Sequence, residues 1–227
     1  MVEGVRVHPA PRRRRRREDS EQEILEAAER LLRVRPFREL TVDELMAATT
    51  QSRTAFYRHF TSRQDLLIRL LSDLNQELWA VSEAWFGGSG DPLAEGRDAL
   101  ERLTDVYQAH GPVLLALAEA AHHDDEVERV YDALVQGFIA ATVARIERDA
   151  AAGLADVPHP EQVATALVWM TERHLAVTFG RPGTGPAERT AAVEALLVIW
   201  LRTLYGIEPA GGDARPGAGA GRRGPGA

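Results

Sequence analysis

Cysteine and lysine are both missing from this sequence of 227 residues, and no long apolar run occurs in it. The absence of cysteine excludes a disulfide scaffold, thiolate metal sites and a cysteine nucleophile. The longest apolar run, Ala195 to Leu201, is far shorter than the roughly 20 residues that span a bilayer. An arginine run near the N-terminus is not followed by an apolar stretch of signal-peptide length. We therefore expect a soluble, cytoplasmic protein with no membrane partner.

Charge is unevenly distributed along the chain, whose formal net charge is −7. Residues 1–70 contain 15 arginines and 11 acidic residues, whereas residues 71–227 contain 12 arginines and 23 acidic residues. A basic end on an acidic body indicates that a polyanion binds at one end only.

Apolar residues between positions 20 and 207 recur at spacings of three or four, which predicts an all-α protein. We expect nine helices, with separate segments over 92–110 and 112–121, and an eighth and ninth helix over 160–179 and 186–205. Residues 1–19, which are rich in arginine, and residues 208–227, which are rich in glycine, proline and alanine, are predicted to be disordered tails. The domains expected between the tails are residues 20–66 and residues 67–207.

The most informative segment is TVDELMAATTQSRTAFYRHF, residues 41–60. Thr41 followed by Glu44 forms a capping-box pattern, and Ser52 can cap a second short helix after a break. Two short helices separated by about four residues are typical of a helix-turn-helix, whose second helix enters the major groove of DNA. Arg, Tyr and Thr side chains on that helix suit contacts to phosphates and base edges.

These residues resemble a known family. SRTAFYRHFTSRQDLL, residues 52–67, is similar to the recognition helix and the start of the fourth helix in TetR-family transcription regulators. ERLLRVRPFRELTVDELM, EQVATALVWMTERHL and VIWLRTLYG resemble the EthR-like branch of that family. The resemblance covers residues 20–207. It implies a homodimeric repressor that binds a palindromic double-stranded operator and is released by a small lipophilic effector.

The resemblance also implies the residues of both sites. Thr41 and Ser52 match phosphate-contacting caps, Tyr57 matches a tyrosine that meets the DNA backbone, and His59 matches a position at the edge of the groove. The remaining residues of the predicted DNA-binding set are Arg53, Thr54 and Ala55 at base-reading positions, together with Arg58 and Arg63. The branch has an apolar tunnel, and the matching positions here are Leu100, Leu103, Tyr107, Tyr131, Val135, Phe138, Thr142, Val168, Thr171, Glu172, Leu175 and Trp200.

The turn of the motif departs from the family pattern. Thr50 and Gln51 stand where the family usually has glycine followed by an aliphatic residue. A β-branched residue such as Thr50 would be strained at the positive φ that glycine adopts readily. The sequence therefore predicts a strained or altered turn, and Gln51 is expected to lose a small contact with the core.

Other interpretations remain open at this stage. The arginines at 12–17 are either a solvated tail or a source of extra phosphate contacts. His122 to Asp125 invite a metal site, but four adjacent residues cannot converge on one ion, so we expect no metal and no cofactor. Glu172 and His174 lie two residues apart and cannot face one another in a helix. A helical enzyme, or a regulator with a closed core and no effector, is the alternative to a ligand-responsive repressor.

The dimer prediction comes from the ninth helix. Its Ala195–Leu201 run is apolar on every face, and such a helix has to be covered all round. A second subunit is the expected cover, with helices eight and nine forming the interface of a homodimer.

Overall fold

The computed structural model describes residues 12–88, 90–181 and 183–207. In these residues the chain forms eight α-helices and one short 3-10 helix, with no strand, which confirms the all-α prediction. The elements are α1 (Arg12–Leu32), the 3-10 helix (Phe37–Glu39), α2 (Val42–Ala47), α3 (Arg53–His59), α4 (Arg63–Gly87), α5 (Pro92–Ala121), α6 (Asp125–Ala151), α7 (Pro160–Phe179) and α8 (Pro186–Tyr205).

The helix starts follow the capping residues of the sequence. Thr41 and Glu44 form the predicted capping box at the start of α2, and the Ser52 hydroxyl accepts the Ala55 amide at the start of α3. Ser62 and Asp124 cap α4 and α6 in the same way. Each cap satisfies amides that the first turn of a helix leaves without a partner.

The prediction of nine helices was wrong by one, because 92–121 is a single helix, α5, that continues through Pro112. Proline cannot donate a hydrogen bond to the carbonyl four residues earlier, here that of Gln108, and usually ends or bends a helix. In α5 the residues on both sides of the proline, including Tyr107 and Leu114, are buried in one core, and this packing keeps the helix continuous. The predicted eighth and ninth helices are therefore α7 and α8.

The prediction of a disordered tail over 1–19 was wrong for residues 12–19, which form the first part of α1. Arginine is a good helix former, which favours extension of α1 toward the N-terminus. The packed part of α1 is anchored by Ile24, Leu25 and Ala28, which are all buried. Residues 1–11, and the predicted tail at 208–227, lie outside the described residues.

The helices form an N-terminal cluster and a larger bundle that share one hydrophobic core. Helices α1, α2 and α3 pack on one another around Ile24, Leu45 and Phe56, each 0% exposed. Helix α4 leaves this cluster at Leu67 and runs along the bundle of α5, α6 and α7 as far as Trp85. Helix α5 also reaches the cluster, because Arg33, the residue after α1, donates a hydrogen bond of 2.7 Å to the carbonyl of Ala109.

The middle of α5 crosses the end of α7 at very short range. A Cβ atom on Gly111 would overlap the carbonyl of Phe179, and one on Gly180 would overlap the side chain of Leu115. Only glycine lets two backbones approach this closely. No helix in the described part of the chain combines the length and the apolarity needed to cross a membrane.

Candidate DNA-binding surface and ligand cavity

Helix α3 presents a polar face to solvent and an aromatic face to the core. Arg53, Thr54, Tyr57 and Arg58 are exposed, and Phe56 is completely buried. Thr41 and Ser52, the two capping residues, are exposed beside them. The structure therefore places six of the nine predicted DNA-binding residues on the surface, at the starts of α2 and α3 and along the outer side of α3.

Ala55 and His59 do not lie on this surface, contrary to the prediction. Ala55 is 3% exposed, and the side chain of His59 is 1% exposed. Along α3, the successive residues Ala55, Phe56, His59 and Phe60 lie one or three positions apart, so they share the inward side of the helix. This spacing was readable in the sequence, and it indicates that His59 belongs to the core of the domain rather than to the edge of a groove.

The buried imidazole of His59 faces α1. Its Nδ1 lies 3.7 Å from the Glu21 carboxylate, and among the described residues neither ring nitrogen has a hydrogen-bond partner. Glu21 is itself paired with Arg69, at 3.0 Å. Burial lowers the pKa of His59, and the nearby charges of Arg17 and Arg58 lower it further, whereas Glu21 raises it.

Arg63 is partly exposed and forms hydrogen bonds within the domain. Its guanidinium donates to the carbonyls of Leu40 and Phe37 and lies over the Phe37 ring, 5.2 Å from the ring centroid. The side chain thus joins the start of α4 to the segment before α2. A DNA contact by Arg63 stays a prediction.

Arg53 already has an anionic partner in the free protein. It contacts both carboxylate oxygens of Asp43 on α2, at 2.5 and 2.7 Å, and its guanidinium lies 5.8 Å from the centroid of the Tyr57 ring. Both partners are more than half exposed, so solvent weakens the pair. Arg53 is consequently free to exchange Asp43 for another anion.

The turn between α2 and α3 is tied to α1 by hydrogen bonds. The Glu23 carboxylate accepts the Thr50 amide at 2.6 Å, the Thr50 hydroxyl at 3.0 Å and the Gln51 side-chain amide at 2.6 Å. The Ser20 hydroxyl donates to the Gln51 side-chain oxygen at 3.0 Å. The three hydrogen bonds that Glu23 accepts, led by that of the Thr50 amide, lower the pKa of Glu23.

The predicted strain at Thr50 is not present. His159 is the one non-glycine residue at positive φ in the described part of the chain, so Thr50 keeps an ordinary backbone conformation. The lost core contact expected of Gln51 is replaced by hydrogen bonds to Ser20 and Glu23. A polar turn fixed by Glu23 thus stands where the family pattern has glycine and an aliphatic residue.

A cavity of about 110 Å³ lies in the bundle between α4, α5, α6, α7 and α8. Eleven of the twelve predicted ligand-binding residues line it: Leu100, Leu103, Tyr107, Tyr131, Val135, Phe138, Thr142, Val168, Thr171, Glu172 and Trp200. Leu175 is the exception, because it is 0% exposed and packs in the core away from the cavity. The cavity has room for several water molecules, since one water molecule needs about 10–15 Å³.

The sequence did not indicate the contribution of α4 to the cavity, and from α8 it indicated Trp200 alone. The additional lining residues from these two helices are Leu78, Ser82, Trp85, Phe86, Leu197, Leu201, Leu204 and Tyr205. The all-round apolar run in α8 was the available signal. It was assigned to a second subunit, but Leu197 and Leu201 are 0% and 2% exposed and face the inside of their own bundle.

Most polar groups around the cavity are already paired. The Trp200 indole donates to the Thr171 hydroxyl at 2.8 Å, the Thr142 hydroxyl donates to the Phe138 carbonyl at 2.8 Å, and the Tyr205 hydroxyl donates to Asp149 at 2.7 Å. Burial raises the pKa of Glu172, which has the only carboxylate among the lining residues.

A buried ion cluster closes the bundle beside the cavity. Arg145, 1% exposed, donates to Asp149 at 2.6 Å, to Glu95 at 3.1 Å and to the carbonyl of Trp85. The cluster joins α4, α5 and α6, and Tyr205 adds α8. Arg145 itself is not among the residues that line the cavity.

Comparison with known proteins agrees with this arrangement. The profile described as "Bacterial regulatory proteins, tetR family" matches residues 24–70, and the profile "Transcriptional regulator EthR, C-terminal domain" matches residues 96–206. The HTH-type transcriptional regulator EthR of Mycolicibacterium smegmatis is 31% identical over 198 residues, which cover 86% of this chain and 90% of the relative. The chain belongs to the TetR family.

Within the TetR family, the resemblance to the EthR-like branch is confirmed. The EthR protein of Mycobacterium tuberculosis is 32% identical over 194 residues, which cover 83% of this chain and 88% of the relative. The fold alone is shared with a TetR-family regulator, PfmR from Thermus thermophilus, with a TM-score of 0.66, 20% identity, and coverage of 78% of this chain and 96% of that one. This TetR-family chain is a transcriptional regulator with a helix-turn-helix DNA-binding domain and a C-terminal ligand-binding domain, and it is not an enzyme.

Proposed function

We propose that the protein is a cytoplasmic, homodimeric repressor that binds a palindromic operator through α3 and releases it when a small apolar effector fills the cavity. The observation that carries the proposal is the course of α4. This helix begins beside the DNA-binding surface and provides Leu78, Ser82 and Trp85 to the cavity. One rigid element is therefore in contact with both sites.

The DNA-binding part of the proposal rests on the exposed side of α3. Arg53 and Thr54 lie in the first turn of the helix, where a recognition helix contacts bases, and Tyr57 lies one turn later, positioned for a phosphate. Binding requires Arg53 to leave Asp43 for the DNA. Because the Arg53–Asp43 pair is exposed, we expect this exchange to cost little.

The dimerisation part of the proposal rests on the outer sides of α7 and α8. Ala191, Ala195 and Ile199 recur every four residues along α8, and all three are exposed. Val177 of α7 is 50% exposed, and Ile199 is 39% exposed. Two-fold pairing of these helices would cover the apolar stripe, since a two-fold interface uses the same patch on both subunits. The two recognition helices would then need to lie about 34–36 Å apart to enter successive major grooves.

The effector part of the proposal rests on the apolar lining of the cavity. A ligand that fits only when α4 is displaced would change the spacing of the recognition helices. It can shift the balance only by its differential affinity for the two conformations. A hundredfold loss of DNA affinity requires about 2.7 kcal/mol of coupling.

The test combines DNA binding and release. Fluorescence anisotropy with DNA from the region flanking the gene should show binding, and a panel of lipophilic esters, ketones and amides should include members that release it. Val168→Trp should block the cavity and abolish release without affecting DNA binding. Thr165→Trp, an exposed position on the same helix, is the matched control and should respond like the wild type. Release of DNA from Val168→Trp at wild-type ligand concentrations would refute the cavity as the effector site.

A further inference from the structure

The cavity lining contains one carboxylate, that of Glu172 on α7. Burial raises the pKa of Tyr107 on α5 and of Tyr131 on α6, and the nearby charge of Glu172 raises both further. Tyr131 is 6% exposed, and its buried hydroxyl interacts with the Glu172 carboxylate, although no described residue forms a hydrogen bond of full geometry with it. A buried hydroxyl with so weak a bond would gain from a ligand that supplies a further hydrogen bond.

The lining of the cavity carries charge of one sign. Glu172 is the only lining residue with an acidic or basic side chain other than tyrosine, and no arginine or histidine lines the cavity. Two cations lie outside the lining: Arg145, which is paired with Asp149 and Glu95, and the exposed Arg173, whose charge acts on Glu172 and Tyr131. A ligand carboxylate inside the cavity would meet the like charge of Glu172, whereas a protonated amine would neutralise it.

The aromatic surroundings suit a cation as well. The rings of Tyr107 and Tyr131 line the cavity near Glu172, and aromatic faces attract ammonium groups. An ammonium group also offers several hydrogen-bond donors at once, which matches a carboxylate and a neighbouring hydroxyl oxygen. The other polar positions offer less, because the Thr171 and Thr142 hydroxyls already have partners.

We infer that the effector is a lipophilic amine whose protonated nitrogen binds Glu172 between the hydroxyls of Tyr107 and Tyr131, while its apolar body extends toward Trp85 and Trp200. The inference rests on the proposed function and adds the chemical class of the effector to it. Glu172 is then the residue that determines ligand charge, and the apolar lining determines ligand length.

Three probes with one hydrocarbon body test this inference: 4-phenylbutylamine, 4-phenylbutanol and 4-phenylbutyrate. For the wild type, calorimetry should give tighter binding for the amine than for the alcohol by about tenfold, the low end of what a hydrogen bond to a charged group contributes. The carboxylate should bind most weakly. In Glu172→Gln the advantage of the amine over the alcohol should disappear while the alcohol still binds.

Two controls separate the charge of Glu172 from general effects. Glu161→Gln removes an exposed carboxylate from the same helix and should leave the preference for the amine unchanged. Tyr131→Phe should reduce the preference without reversing it. Thermal unfolding of each variant establishes that it is folded.

The possible failures are distinct. Equal affinity of the wild type for amine and alcohol, or an unchanged preference in Glu172→Gln, would overturn the inference. If a lipophilic ester releases the DNA while the amine neither binds nor releases it, the amine inference fails and the proposed function stands. If no compound of either panel binds, both fail.

Discussion

Thr142→Trp tests whether the cavity is real free space, because the sign of its effect on stability depends on that space. Thr142 is 1% exposed on α6, lines the cavity and donates its hydroxyl only to its own helix, at Phe138. Its replacement therefore leaves no partner elsewhere without a hydrogen bond. At about 24 cal/mol per Å³, the cost of an unfilled cavity of about 110 Å³ is about 2.6 kcal/mol.

A tryptophan that filled the cavity without strain would recover up to this amount. In a chain of this length 1 kcal/mol corresponds to about 2–4 °C in Tm, so the rise is expected to reach at most about 5–10 °C. A closed core gives the opposite sign, because overpacking costs about 1–3 kcal/mol. Thermal unfolding followed by circular dichroism, at one protein concentration, distinguishes the two.

The control is Ala144→Trp, two residues along the same helix and exposed to solvent. It should change Tm by much less than Thr142→Trp. A fall in Tm for Thr142→Trp beyond that of the control would refute the free space and favour a regulator with a closed core. A rise in Tm together with loss of the ligand response would support an effector site in this cavity.

Four further predictions concern the DNA-binding domain and the dimer. Glu23→Ala removes the acceptor that holds the turn before α3, so it should weaken DNA binding several-fold in anisotropy titrations while Glu26→Ala, an exposed carboxylate on the same helix, does not. Asp43→Asn releases Arg53 and should strengthen DNA binding; a weaker complex would show that the pair orients Arg53 instead. Ile199→Glu should yield monomers in equilibrium sedimentation, and an unaltered dimer would place the interface elsewhere. Hydrogen bonds from Arg35 and Thr41 lower the pKa of Glu44 from 4.5 to about 2, so its contribution to stability is complete above pH 4.5 and is lost as the pH falls toward 2; an identical acid unfolding curve for Glu44→Gln would contradict this.

The lining of the cavity could be predicted from the sequence because residues three or four positions apart lie on the same side of a helix. Residues such as Tyr131, Val135 and Phe138 lie three or four apart on one side of α6, and the family resemblance says which side. The prediction that Leu175 lines the cavity was wrong: it follows Thr171 and Glu172 by about one turn, but its side chain is buried in the core. Knowing which side of a helix faces inward does not say whether a residue on that side contacts the cavity or a neighbouring helix.

Other features depended on contacts that are distant in sequence. The bond between Glu23 and Thr50 joins residues 27 positions apart, and it forms because α1 packs across the turn. The continuation of α5 through Pro112 depends in the same way on the core around it. The burial of His59 was different, since the spacing from Phe56 already indicated it, but the family resemblance assigned the residue to the DNA edge.

The close crossing of α5 and α7 at Gly111 limits how an occupied cavity can rearrange the bundle. With no side chain to yield, α5 cannot slide along the end of α7 without collision at Phe179. A rotation of α5 relative to α7 about Gly111 would avoid this collision. Apart from Leu114, the cavity-lining residues of α5 lie before Pro112, and the part of α5 from Pro112 onward lies beside the 3-10 helix of the DNA-binding domain. If a ligand displaced the first half of α5 away from the cavity, the second half would move in the opposite direction, toward the DNA-binding domain. Helix α5 would then be a second connection between the cavity and that domain, in addition to α4.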